Sequence, residues 1–220
     1  MPNENSNSSP GQRSDEKLFL IIVIALAVIA GVGSWLAVLA FSHREKNVGI
    51  APDQSRYLVN FSFTDCTGQT LARKDVAGNF LCVSFLFTSC SLTCPEVSKR
   101  MAQIQKLTAG TPDVRLLSFT VDPRSDTVPV LAKWGERFGA DTNRWFLLTG
   151  DKEQLHQVIG TSFLGTETNN PFNSMPGNFA GTERIALVDR QGRVRVYFDG
   201  LRLETPGAVV KEIERMRKEQ

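Results

Sequence analysis

Cys90 and Cys94 stand in the stretch "FLFTSCSLTCPEVSKRM", three residues between them, at the end of an apolar run and ahead of a helical pattern. Two thiols at that spacing can form a disulfide, exchange one with a partner, or grip one soft metal ion together, provided the turn between them is tight. An inert staple fits least well, because it would close almost no loop and constrain little of the unfolded chain. Pro95 suits a first helical turn, where its missing N–H costs nothing, so Cys94 is expected immediately before a helix. The unpaired N–H groups and partial positive charge of a helix N-terminus favour thiolate over thiol. Cys94 has that terminus and Cys90 the greater expected exposure, so which one attacks stays open. Of the remaining thiols, Cys82 lies within an apolar run and reads as a packed small hydrophobe. Cys66, in the turn Asp65–Gly68, is expected to be exposed and is given no role.

Rigid elements must hold such a pair. Asn79–Phe87 is a nearly continuous apolar run, as expected of a strand covered on both faces. Val97, Met101, Ile104 and Leu107 then recur at helical spacing as far as Gly110. Val114–Val121 reads as the next strand, which completes a βαβ unit with parallel strands. Helices follow at Val128–Phe138 and Lys152–Ile159, with a strand at Trp145–Leu148 between them. Ile185–Asp189 and Val194–Phe198 form a hairpin across Arg190-Gln191-Gly192, and Gly207–Arg217 closes the chain as a helix. Ahead of all these, the alternation over Tyr57–Thr64 predicts a single strand. The sum is an α/β fold, a thioredoxin-like mixed sheet with helices on both faces. The dithiol falls in the first βα turn, beyond the carboxyl ends of the strands, where such sheets carry out their chemistry. Residues 165–181 form a long polar loop, a length that often serves function.

The 220 residues exceed what this one domain needs. Residues 1–17 are polar and rich in Asn and Ser, and are expected to be a disordered tail. Leu18–Phe41 is a run of 24 residues without a charge. Roughly 20 apolar residues cross a bilayer, so residues 18–41 are expected to be a transmembrane anchor. A cleaved signal peptide has an apolar region of about 7–15 residues, which this run exceeds. Residues 42–55 read as a linker and 56–220 as the soluble domain. Arg13 and Lys17 before the run and Arg44 and Lys46 after it nearly balance, so charge does not orient the anchor. The net charge of +2, with no basic cluster, argues against a nucleic-acid partner. Four cysteines are too few for a disulfide scaffold. A dithiol on a single-pass anchor instead fits the periplasmic side of an inner membrane, where its chemistry has substrates.

"FTSCSLTCP", "SFTVDPRSDT" and "RFGADTNRWFLLTGD" together closely resemble the Sco/SenC family, and the resemblance covers essentially the whole soluble domain. It implies a membrane-anchored thioredoxin fold that serves the copper centre of cytochrome c oxidase, as a copper carrier, as a reductant of the oxidase's cysteines, or as both. The implied partner is the copper-site subunit of a respiratory oxidase or another thiol protein. Cys90 and Cys94 then correspond to the family's paired thiolates, able to hold Cu(I). Asp122 matches an acidic position after the second parallel strand.

One element of that pattern is missing. The family's third copper ligand is a histidine on the long loop, eight residues before the residue that ends the next strand. Counting back from Asp189 reaches Gly181. The chain has two histidines, His43 beside the expected anchor and His156 on a helix, where it reads as a surface residue. Met175 and Glu183 are the weak substitutes in the same region. Two thiolates suffice for Cu(I), whereas Cu(II) prefers imidazole and higher coordination. The departure therefore shifts weight toward a thiol–disulfide oxidoreductase, which needs only the pair. A Cu(I) metallochaperone without redox turnover remains the alternative.

Overall fold

The computed structural model describes residues 55–164 and 182–219, together with Val23, Ile24, Gly31, Gly49, Ile50 and Pro52. The chain divides into two units, Met1–Lys46 and Asn47–Gln220. Of the first, Val23, Ile24 and Gly31 are helical; the remainder of the anchor expected at 18–41 lies outside the described residues. Among the described residues no helix is long and apolar enough to cross a membrane.

The second unit is built on one mixed sheet. Its centre is β5 (Phe80–Leu86), β6 (Val114–Thr120) and β7 (Trp145–Thr149). All three are parallel, with Cys82 beside Leu116 and Ser118 beside Leu147. Helix α1 (Thr93–Leu107) connects β5 to β6, α2 (Val128–Phe138) connects β6 to β7, and α3 (Lys152–Ile159) follows β7. On the other flank of β5, β8 (Arg184–Val188) and β9 (Arg193–Asp199) form the expected hairpin, turning at Gly192 with φ +86°. Helix α4 (Thr205–Lys218) ends the fold. Every residue of β5 is buried, because the sheet is covered on both sides. Phe80, Cys82 and Leu86 face Val97, Met101, Ile104, Leu131 and Ile213 from α1, α2 and α4. Leu81, Val83 and Phe85 face Leu155, Ile159 and Phe163 on the opposite side.

The expected strand at Tyr57–Thr64 is corrected. It is two short strands at distant places in the sheet: β2 (Arg56–Tyr57) pairs with β9, and β3 (Ser62–Asp65) pairs with β7 and with β4 (Thr70–Ala72). Between them the chain crosses the α3 side of the sheet, where the Val59 N–H donates to Ser162 Oγ at 3.2 Å. Leu58, Phe61 and Phe63 are all buried in that one layer. Their apolar pattern records burial, and pairing partners are not encoded in it. Gly49–Ile50 (β1), within the segment read as linker, pairs antiparallel with Phe198 and Tyr197.

Cys66 is also corrected. It is 6% exposed and joins the cluster that contains Trp145 and Leu147. Because β3 pairs Asp65 with Leu148, the turn residue that follows is carried over the sheet and away from water.

Candidate functional site

The site begins where β5 runs out at Leu86. The chain turns through Phe87–Cys90, with the Cys90 N–H donating to the Phe87 carbonyl at 3.1 Å, and α1 starts at Thr93, two residues earlier than expected. Cys94 therefore lies inside the first helical turn. Its N–H is one of the orphan donors of a helix start, and it donates to Cys90 Sγ at 3.3 Å. The Thr93 hydroxyl lies 3.3 Å from the same sulfur. Cys90 thus caps its own helix. Both thiols are free.

Their environments differ. Cys94 is fully buried in the apolar cluster with Leu86 and Met101. Burial first, and then the hydrogen bond it gives to Cys90 and the charge on that sulfur, push its thiol up to about 12. Cys90 is half-buried. Partial burial alone would raise its thiol, but the Thr93 hydroxyl, the Cys94 N–H and thiol, and the Leu92 N–H together bring it down to about 7. Cys82, fully enclosed, is pushed up to about 12 by burial, and burial raises Cys66 as well. Those two are structural thiols. Leu92, between the paired cysteines, is 79% exposed.

The strand next door brings up Asp122. The Val121 N–H donates to the Leu86 carbonyl at 2.9 Å, so the end of β6 stays beside the start of the cysteine turn. Asp122 is half-buried, and its N–H donates to Thr120 Oγ1 at 3.0 Å. His156 is not the plain surface residue that its helical position suggested. It is half-buried, and its Nε2–H donates to the Val121 carbonyl at 3.1 Å, anchoring α3 to the segment that leads into Asp122. Glu183 directly precedes β8. The pairing of Ser84 with Ile185 places it at the same end of the sheet as the cysteine turn. Its carbonyl accepts the Gly200 N–H at 2.6 Å. Gly181, Met175 and His43 lie outside the described residues. Among the described residues no group of three or more His, Cys, Asp and Glu side chains converges to hold a metal ion.

Sequence reasoning missed three residues here. In the sequence Thr93 is simply one of the three residues between the cysteines. Thr88 and Asp126 meet across the site, the Thr88 N–H donating to Asp126 Oδ1 at 3.0 Å. The motifs around Cys90 and Asp122 contain all three, but no local pattern marks them as partners.

A mixed sheet of this order, with a dithiol between its first central parallel strand and the following helix, defines a thioredoxin-like dithiol protein. Residues 51–218 match the family model described as SCO1/SenC, and the chain belongs to that family. The SCO1 protein homolog of Bacillus subtilis (strain 168) is 33% identical over 105 residues, covering 47% of this chain and 54% of the relative. The chain thus matches about half the length of that curated relative. BsSco, a solved member of the Sco family of cytochrome c oxidase assembly proteins in which a disulfide switch was identified, has a TM-score of 0.62. It is 22% identical, over 76% of this chain and 96% of its own. Yeast Sco1 with copper bound has a TM-score of 0.58 at 18% identity, over 74% of this chain and 93% of its own. Likenesses this distant in sequence show the fold.

Proposed function

We propose that this chain is a membrane-anchored dithiol protein serving the copper centre of a cytochrome c oxidase by thiol–disulfide exchange at Cys90 and Cys94. The observation that carries the reading is the inequality of the two thiols, one half-exposed with its thiol near 7 and the other enclosed with its thiol near 12. The nucleophile in such exchange is the thiolate. Cys90 attacks one sulfur of a partner disulfide, forming a mixed disulfide and releasing the partner's other sulfur as a thiolate. Cys94 gives up its proton, which the released thiolate takes, and attacks Cys90 Sγ. The partner's second thiolate departs and is protonated from solvent. Two electrons pass to the partner, which leaves with both cysteines reduced and competent to take copper. The reverse sequence uses the same bonds.

The copper-carrying reading keeps one specific support. Two adjacent soft sulfurs suit Cu(I), and a relative of the same fold is known with copper bound. In that reading Cys90 and Cys94 hold Cu(I) as cargo, with Met175 or Glu183 as weak additional ligands, and Asp122 supports the site. Anaerobic Cu(I) titration of the reduced full chain, beside its reduction potential against glutathione, separates the two. A reversible couple with weak Cu(I) binding supports exchange; tight Cu(I) binding without a reversible couple supports transport and overturns it. Gly181→His is expected to gain a charge-transfer absorption with Cu(II) that the parent lacks, because it returns the imidazole that the family pattern places there.

Residues 18–41 are proposed as the anchor and 42–55 as a linker, with the domain on the periplasmic side of the inner membrane. The chain should stay in the membrane fraction through an alkaline wash, and its domain should be open to protease from the periplasmic side. Recovery as a soluble form without the first forty residues would remove this placement.

A further inference from the structure

Asp126 takes no part in the exchange steps, yet its side chain is fully buried. A carboxylate out of water is costly unless its oxygens are filled by donors. Among the described residues it has no ion-pair partner. Its donors come from the turn after β5 and from the end of β6. Oδ1 accepts the Thr88 N–H at 3.0 Å and the Thr88 hydroxyl at 2.5 Å. Oδ2 accepts the Thr120 hydroxyl and, more loosely, the Thr88 N–H at 3.3 Å. Thr88 stands two residues before Cys90, and Thr120 ends β6. Thr120 Oγ1 in turn accepts the Asp122 N–H at 3.0 Å, and the Asp126 N–H donates to the Asp122 carbonyl at 2.9 Å. One buried carboxylate therefore joins the turn that carries Cys90 to the turn that carries Asp122.

We infer that Asp126 is a positioning residue of the dithiol, fixing the Thr88–Cys90 turn against the end of β6 so that the Cys90 sulfur stays within reach of Cys94. This rests on the exchange reading above. Holding two reacting groups in place raises their effective concentration toward each other, so a clamped pair closes its disulfide more readily than a loose one. Releasing the clamp should make the disulfide easier to reduce. Removing the negative charge would push in the same direction, since a nearby carboxylate disfavours a thiolate, and the test has to separate the two effects.

The full chain is equilibrated with reduced and oxidised glutathione, and the oxidised fraction of the Cys90–Cys94 pair is read by mass after alkylation. Asp126→Asn keeps the shape but loses acceptor strength; Thr88→Val removes one donor and leaves the charge. Each is expected to lower the equilibrium constant for disulfide formation by about tenfold, a shift of about 30 mV toward easier reduction. Thr88→Ser should restore the parent value. Asp113→Asn is the stability control. Asp113 pairs with Arg190 and Arg217 at the opposite end of β6, so its loss should lower Tm and leave the couple alone. If Asp126→Asn does not fold, Thr88→Val and Thr88→Ser carry the comparison. A lowered Tm with an unmoved couple overturns the inference, as does a shift in Asp126→Asn that Thr88→Val does not share. A parent with no reversible couple removes the exchange reading and the clamp's role together, whereas a parent couple that both variants leave in place removes the clamp alone.

Discussion

Burial and hydrogen bonding pull the Cys90 thiol in opposite directions, and four donors around one sulfur outweigh its partial enclosure. The reacting species is the thiolate, so alkylation of Cys90 should speed up with rising pH through about 7 and level off above about 8. Near pH 6 the rate should be roughly a tenth of the plateau, by simple titration. Cys94, enclosed and held protonated, should not react in the folded protein over this range. A hydrogen bond to a charged group is worth about 1.5–3 kcal/mol, and a half-buried site retains only part of that. Thr93→Val is therefore expected to move the midpoint of the alkylation profile up by about one pH unit, with Thr93→Ser close to the parent. Stopped-flow alkylation across pH checks both. Peptide mapping of the oxidised chain should find a Cys90–Cys94 link with Cys66 and Cys82 still as thiols, because those two are 6% and 0% exposed.

Hairpin β8–β9 meets helix α1 at one crowded point. Gly200 follows β9, and a Cβ built there would lie 2.7 Å from the Glu183 carbonyl oxygen and 3.0 Å from Val97 Cγ2. The backbone oxygen cannot swing aside as a side chain would, so the Gly200 and Glu183 backbones at the open end of the hairpin must move apart. The 2.6 Å bond from the Gly200 N–H to that oxygen would be strained with it. Gly200→Ala is expected to cost about 1–3 kcal/mol, the usual range for overpacking, visible as a lowered Tm. Val97 is one turn from Cys94 in α1, so the change should also loosen the helix start. A Gly200→Ala protein with unchanged Tm would mean that this contact is less tight than the geometry states.

Across the molecule, the sheet separates two apolar layers with different duties. One layer, under α1, α2 and α4, encloses Cys94. The other, under α3, contains an aromatic group in which the Phe119 ring meets Phe61 and Phe63 edge-on at centroid distances of 5.5 Å and 6.1 Å. Phe119→Ala should cost about 3–5 kcal/mol, a large share of the 5–15 kcal/mol typical of a whole domain. Urea unfolding should show the midpoint fall. At urea concentrations where both proteins remain folded, the pH midpoint of Cys90 alkylation should hold, because Phe119 lies on the side of the sheet away from Cys94. A changed midpoint would show that the layers are coupled more tightly than their separation implies.

The dithiol, the buried strand before it and the helix after it were legible in the sequence because each is a local signal. Spacing, an unbroken apolar run and a proline in the first turn all lie within about twenty residues. The hairpin around Gly192 was legible for the same reason, through its turn residues and alternating flanks. What tertiary structure alone decided involves residues far apart in the chain. The alternation at Tyr57–Thr64 announced burial, but only the assembled sheet assigned β2 to β9 and β3 to β7. Cys66 looked exposed as a turn residue until the pairing of Asp65 with Leu148 carried it inward. His156 met the Val121 carbonyl across 35 positions, and Thr88 met Asp126 across 38. Residue types and spacing determine what chemistry the chain can attempt, since those properties are carried by neighbours along the backbone. The inequality of the two thiols, and the carboxylate that holds their turn, depend on enclosure and on donors from separate strands, and these exist only once the sheet has formed.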